Sequence, residues 1–217
     1  MEYKIRKSLM EQKRESEDSD KLFYLGTAVF FAILFFVLII LNTYVFACVV
    51  VKGASMENTL FTDDVLVINV RERINYGDIV VINADDGSTN FQNKIHNKII
   101  KRVIAMGGDE LKFYDGKIFL KKRGETEFSE LNEPYKKGVT NYNVPASSVP
   151  ESSQTILVVP EGEIFFLGDN RTNSSDARTY GTRGENQVWG VVTGWSLNAR
   201  PFMNFISKLF GLGDNAH

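Results

Sequence analysis

Hydrophobic and polar positions divide the chain into three regimes. Residues 1–21 are almost wholly polar: Lys4, Arg6, Lys7, Lys13, Arg14 and Lys21 interleave with Glu2, Glu11, Glu15, Glu17, Asp18 and Asp20, without a periodic apolar face. Residues 22–51, LFYLGTAVFFAILFFVLIILNTYVFACVVV, carry no charge at all. About 20 apolar residues suffice to cross a hydrocarbon core, so this run predicts a retained membrane span. A buried core helix of that length would show a polar stripe. A cleaved signal peptide has an apolar region of only about 7–15 residues closed by an A-x-A-like site, and no such site follows. Lys13, Arg14 and Lys21 flank the run on its amino side, against Lys52 alone before Arg71 on the other. The positive-inside rule therefore puts the N-terminus in the cytoplasm and everything after residue 51 outside.

Beyond the span the pattern shortens to strand length. VLVINV (65–70) and IVVI (79–82) are short apolar runs beside Asp-Asp and Gly-Asp turn signals. KIIKRVIAM (98–106) ends at Gly107-Gly108, and TILVV, EIFFL and VWGVVTGW supply further strands. LKFY-DG-KIFL reads as a hairpin, because Asp115-Gly116 tolerates the positive φ angles of a type I′ turn. No helical periodicity appears from 51 to 200. Residues 121–154 are polar and hold Pro134, Pro145 and Pro150, which predicts an inserted loop or small appendage. The tail, FMNFISKLFGLG, reads as a short amphipathic helix, either closing an open end of the sheet or touching a membrane surface. The expected division is a cytoplasmic segment at 1–21, a transmembrane anchor at 22–51, an extracytoplasmic domain at 52–200 with a polar insert at 121–154, and a tail at 201–217.

Composition narrows the chemistry. The formal net charge of -2 over 217 residues provides no general attraction to nucleic acid. One cysteine, Cys48, excludes an intrachain disulfide framework, and two histidines, His96 and His217, make a Cys/His metal centre or a histidine base a poor expectation. Three weaker features remain. Lys101 shares the strand face of Ile99, Val103 and Ala105; burial favours its neutral amine, and a neutral amine beside a hydroxyl is a general base. A packed stem with its head in water is the commoner fate of such a lysine. Ser55 lies in the loop Gly53-Ala54-Ser55-Met56, and GDNRTNSSDARTYG (168–181) concentrates Asp, Asn, Ser and Arg after an apolar strand. Each of these two is by itself an ordinary loop feature.

Their order is more specific. An N-terminal anchor followed by GASMENTLF, YGDIVV, IIKRVIAMGGD and GDNRTNSSDAR resembles the bacterial type I signal peptidases, membrane-bound proteases with a serine–lysine dyad. The resemblance covers essentially all of 52–195 apart from the insert. It implies a mainly β fold: an antiparallel, coiled β-barrel-like catalytic domain behind one N-terminal transmembrane helix. Carried over by position, it makes Ser55 the nucleophile and Lys101 the general base. Ser174 becomes the hydroxyl that orients the amine, Asp176 and Arg178 a charged pair bracing the site, and Asp169 and Arg102 supporting residues. Met56, beside the nucleophile, is expected near the membrane surface. The substrate is expected as an extended strand beside Ile99–Ile100 and residues 52–53, with Val51, Leu60 and Ile100 walling shallow pockets.

What the resemblance implies functionally is an endopeptidase that removes N-terminal signal peptides from exported preproteins at the lipid bilayer, without metal or organic cofactor. Gly53 replaces a hydroxyl residue frequent two positions before the nucleophile, leaving the oxyanion to backbone N–H groups, chiefly that of Ser55. Asn58 and Gly107 stand where the family usually has prolines. A catalytically silent, anchored peptide-binding homologue is the alternative reading.

Overall fold

A computed structural model describes residues 2–83, 98–140 and 156–210; His96, His217 and the 141–154 part of the insert lie outside the described residues. The chain divides into two units, one ending at Val45 and the other beginning at Phe46.

The first unit is a single helix, α1 (Glu2–Val45). Its segment Ser19–Val45 has a mean hydropathy of 2.8 and is long and apolar enough to cross a membrane. The uncharged run read as one anchor over 22–51 is divided: the helix stops at Val45, and Phe46–Val50 form a strand, β1. Hydropathy does not distinguish the two, since FACVV is as apolar as the helix before it. About 20 residues already span the hydrocarbon.

The second unit is built on antiparallel strands. After β1 come β2 (Val65–Asn69), β3 (Ile79–Asn83), β4 (Lys98–Met106), β5 (Glu110–Tyr114), β6 (Lys117–Lys121), β7 (Ser129–Glu130), β8 (Leu157–Val158), β9 (Glu163–Leu167), β10 (Arg183–Gly184) and β11 (Val188–Val192). One sheet runs β1-β2-β11-β3-β4-β9-β10 and a smaller one β7-β6-β5-β8. Both are open in strand order, so the mainly antiparallel class stands without closure into a barrel. The hairpin β5–β6 turns at Asp115 and Gly116, both at positive φ, pairing Tyr114 with Lys117.

The sheet separates two cores. Along β3, Val80 and Ile82 join one cluster with Val103, Leu111, Ile118, Phe165 and Phe166, while Ile79 and Val81 join another with Val51, Met56, Leu60, Leu66 and Ile68. Burial on both faces explains why IVVI reads as a continuous apolar run rather than an alternation. Phe165 stacks obliquely on Phe113, 5.8 Å between ring centres, and so joins the two sheets.

Among the described residues, three short α-helices complete the unit: α2 (Ala177–Tyr180), α3 (Gly194–Asn198) and α4 (Arg200–Phe210). The first two are single turns, too short to leave a periodicity in the sequence. Within the insert, β7 adds a strand to the smaller sheet by pairing with β6.

Phe165→Ala is expected to destabilise the second unit by about 3–5 kcal/mol, the usual cost of emptying a fully buried phenylalanine site. Denaturant unfolding of the full chain measures this, and a loss below about 1 kcal/mol would place the core elsewhere.

Candidate active site

Ser55 sits in the loop between β1 and β2. Met56 and Leu60 sink into the second core cluster and hold the loop from below, and Leu60 N–H donates to the Met56 carbonyl at 2.8 Å. From the side, Asn170 N–H donates to the Ser55 carbonyl at 3.0 Å, and Asn170 Nδ2 donates to the Ala54 carbonyl at 3.1 Å. Gly53 has φ +85° and Asn58 φ +68°. Proline is fixed near –65° and cannot occupy the second position, while a left-handed φ favours glycine over a hydroxyl-bearing residue at the first.

Lys101 lies mid-way along β4, paired with Val80, and only 3% of it is exposed. Its Nζ donates to Ser55 Oγ at 2.8 Å and to the Ile100 carbonyl at 2.9 Å. Burial pulls its pKa down from 10.5 to about 8, against the opposing pull of the Asp176 and Asp169 carboxylates. Once the amine is neutral, the 2.8 Å contact reverses, and the hydroxyl donates to the nitrogen lone pair.

Two bidentate ion pairs frame this contact. Arg102 Nε and Nη2 donate to Asp169 at 2.8 and 2.7 Å, and Arg102 Nη1 donates to the Gly77 carbonyl at 2.7 Å. Arg178 Nε and Nη2 donate to Asp176 at 2.8 and 2.9 Å. Asp176 also accepts the Gly168 N–H at 3.0 Å and caps α2 through Arg178 N–H. Burial alone would raise its pKa, but Arg178 and the Gly168 N–H outweigh that and hold it below the usual carboxylate range. The nearby Ser174 hydroxyl adds a weaker pull in the same direction without meeting hydrogen-bond geometry. Such fork-to-carboxylate pairs fix direction as well as distance.

The remaining residues singled out by sequence are placed differently. The amine's second partner is the Ile100 carbonyl; Ser174 Oγ, by contrast, is buried and has no hydrogen-bond partner among the described residues. Leu60 has no exposed surface and Val51 only 2%, so both pack behind the half-buried Ile100. Met56 is buried in the second core cluster.

Sequence reasoning missed a second layer. Arg171, fully buried, donates from Nε to the Gly168 carbonyl at 2.9 Å and pairs with Glu133 of the insert. Tyr135 lies under the Arg102 guanidinium, 4.0 Å from its ring centre. The Lys137 N–H donates to the Asp169 carbonyl, and Arg171 N–H to the Lys137 carbonyl, both at 2.8 Å. The described part of the insert is therefore a clasp over the 168–176 loop. Gly168 was also overlooked: a Cβ there would lie 2.2 Å from Ser174 Oγ and 2.5 Å from the Ser55 carbonyl, so only glycine fits. The one available signal was the glycine directly after the apolar strand EIFFL.

Holding the Lys101 proton in the folded state has a price in stability. Below pH 8 folded and unfolded chains both carry the proton, and the full penalty of about 3 kcal/mol is present. Between about pH 8 and 10.5 only the unfolded chain holds it, so stability rises with pH across that window. Lys101→Met is expected to be the more stable protein at neutral pH and to lose this slope. Denaturation midpoints measured across the window check both; an unchanged slope in the variant would assign it to another group.

The family model described as signal peptidase, peptidase S26, matches residues 23–195. Signal peptidase IB of Staphylococcus aureus is 27% identical over 181 residues, covering 80% of this chain and 88% of that protein. A probable signal peptidase I-2 of Synechocystis sp. is 29% identical over 203 residues, covering 89% and 78%. The crystal structure of a signal peptidase I from Enterococcus faecalis is 23% identical, covers 56% of this chain and 98% of that one, and has a TM-score of 0.37. The matched span begins within the apolar helix and takes in the Ser55 loop, β4 and the whole 168–181 loop; the chain belongs to the peptidase S26 family of signal peptidases.

Proposed function

We propose that this chain is a membrane-anchored serine endopeptidase that removes N-terminal signal peptides from exported preproteins, with Ser55 as nucleophile and Lys101 as general base. The observation that carries the reading is the 2.8 Å contact between Ser55 Oγ and a buried lysine amine. With a pKa near 8 that amine is neutral in a useful fraction of molecules at physiological pH. The silent-homologue alternative has no use for such a costly pairing.

In the proposed cycle the neutral Lys101 amine takes the Ser55 proton as Oγ attacks the scissile carbonyl carbon. The tetrahedral oxyanion is held by backbone N–H groups, that of Ser55 foremost. Collapse breaks the C–N bond, the ammonium returns the proton to the leaving amine, and the acyl-enzyme remains. A water deprotonated by the same amine then releases the signal peptide and restores the serine. Arg102–Asp169 and Arg178–Asp176 hold the loop that carries Gly168, and the Ser174 hydroxyl beside Gly168 is proposed to orient the amine in addition to the Ile100 carbonyl.

The substrate enters as a strand. β4 pairs with β3 along 98–102, but β9 covers it only from Arg102 onward. Residues 98–101 therefore have one backbone edge unpaired among the described strands, ending at Lys101 itself. An extended peptide added there gains main-chain hydrogen bonds, with alternate side chains directed at Ile99 and Ile100. The basic residues before α1 put the N-terminus in the cytoplasm and the catalytic unit on the far side of the bilayer. Anchoring enzyme and precursor to one surface raises their effective concentration.

Ser55→Ala and Lys101→Met are each expected to lower precursor cleavage by at least about 10⁴-fold, as loss of a dyad member does. Single-turnover cleavage of a purified precursor in detergent measures this, and retained turnover in either variant would overturn the dyad. The rate should climb with pH through a limb near 8, whereas an acidic optimum would point to a carboxylate base. Gly168→Ala should cost about 10²-fold in kcat with little change in KM, because it displaces the Ser55 backbone and leaves the strand edge alone. A loss confined to KM would mean that Gly168 shapes binding instead.

A further inference from the structure

Helix α4 is built inside out. A surface helix of a soluble protein turns its apolar stripe inward, yet here Phe202, Phe205 and Leu209 are 63%, 62% and 65% exposed while Ser207 is buried. The polar residues do the docking. Asn204 Oδ1 accepts the Val65 N–H at 2.9 Å, and its Nδ2 donates to Asp64 Oδ1 at 2.8 Å. Arg200 Nη1 donates to the Thr59 carbonyl and to Asp64 Oδ2. Asp64 in turn accepts the Phe61 N–H, and the Phe61 ring is also exposed. The helix is thus bolted to the loop that runs on from Ser55, with its greasy row facing out.

A further exposed aromatic ring lies upstream of α4. Just before α4, the exposed Trp195 of α3 shares a surface depression with Phe46, and Phe46 directly follows α1 in the sequence. An indole at the edge of such a patch suits the headgroup region of a bilayer. The exposed Lys208 beside Leu209 suits the phosphates there.

We propose that α4 is an interfacial helix: Phe202, Phe205 and Leu209 enter the lipid of the bilayer to which α1 anchors the chain, and Arg200 and Asn204 transmit that plane to the Ser55 loop, setting its height above the surface. The proposal rests on the membrane-anchored reading and not on the chemistry at Ser55.

The test uses the full chain with Cys48→Ser, reconstituted in phosphatidylcholine–phosphatidylglycerol vesicles. An environment-sensitive fluorophore is placed on Phe205→Cys or, as control, on Lys117→Cys in the exposed β5–β6 hairpin. Brominated acyl chains should quench the Phe205 label severalfold more than the control. Equal quenching would overturn the proposal. So would a Phe205 label shielded from water but untouched by brominated lipid, which would assign the face to a second copy or another protein. Independently, the triple variant Phe202→Ser, Phe205→Ser, Leu209→Ser should raise KM severalfold for a vesicle-embedded precursor while cleaving a short soluble peptide normally. An unchanged KM on the vesicle substrate would also overturn it. Because the quenching experiment needs no turnover, its outcome is separate from whether the chain is a peptidase.

Discussion

An ammonium group cannot be taken out of water cheaply, and much of this structure follows from placing one at Lys101. The strand that carries it pairs with β3 there and with β9 from Arg102 onward, its face is lined by aliphatic residues, and among the described residues the polar group that meets the amine from outside its own strand is the Ser55 hydroxyl. The two nearby carboxylates that would recharge the amine are each occupied by an arginine fork. That arrangement keeps their negative charge local and leaves burial as the dominant influence on the lysine. The proposed serine–lysine dyad needs no imidazole, in keeping with a chain so poor in histidine.

The loop of residues 168–176 is the second requirement. It packs beside the Ser55–Lys101 contact, touching the Ser55 backbone through Gly168 and Asn170 and facing Asp176 back onto its own start. Such a dense run of polar residues would normally wander over the surface. It is held by Arg171 from within and by Glu133, Tyr135 and Lys137 from without. The region that looks dispensable in sequence is thereby part of the scaffold for the reaction centre.

Much of this was legible from residue order alone. The bounds of β4 and β9 are those of their apolar runs, and Asp115-Gly116 marks its hairpin, because turn chemistry and strand period are local properties. β1 was hidden because an uncharged strand and an uncharged helix look alike to hydropathy. The Arg171–Glu133 pair spans 38 positions and leaves no local trace. Ser174 illustrates a further limit, since motif position carries a role onto a residue while only geometry says which atoms meet. In α4 the reading left two fates open; Asn204 and Ser207 turn toward the protein while Phe202, Phe205 and Leu209 face outward.

The stretch of β4 left unpaired among the described strands is also short. An unattended strand edge invites other chains to pair with it, and proteins usually blunt such edges with charge or brevity. Here Lys98 opens the stretch and β9 closes it at Arg102. The gap is wide enough for a few extended residues of a passing polypeptide and too narrow to nucleate a continuous intermolecular sheet. The edge proposed to receive substrate is thus, by its brevity, also guarded against pairing with a second copy of the chain.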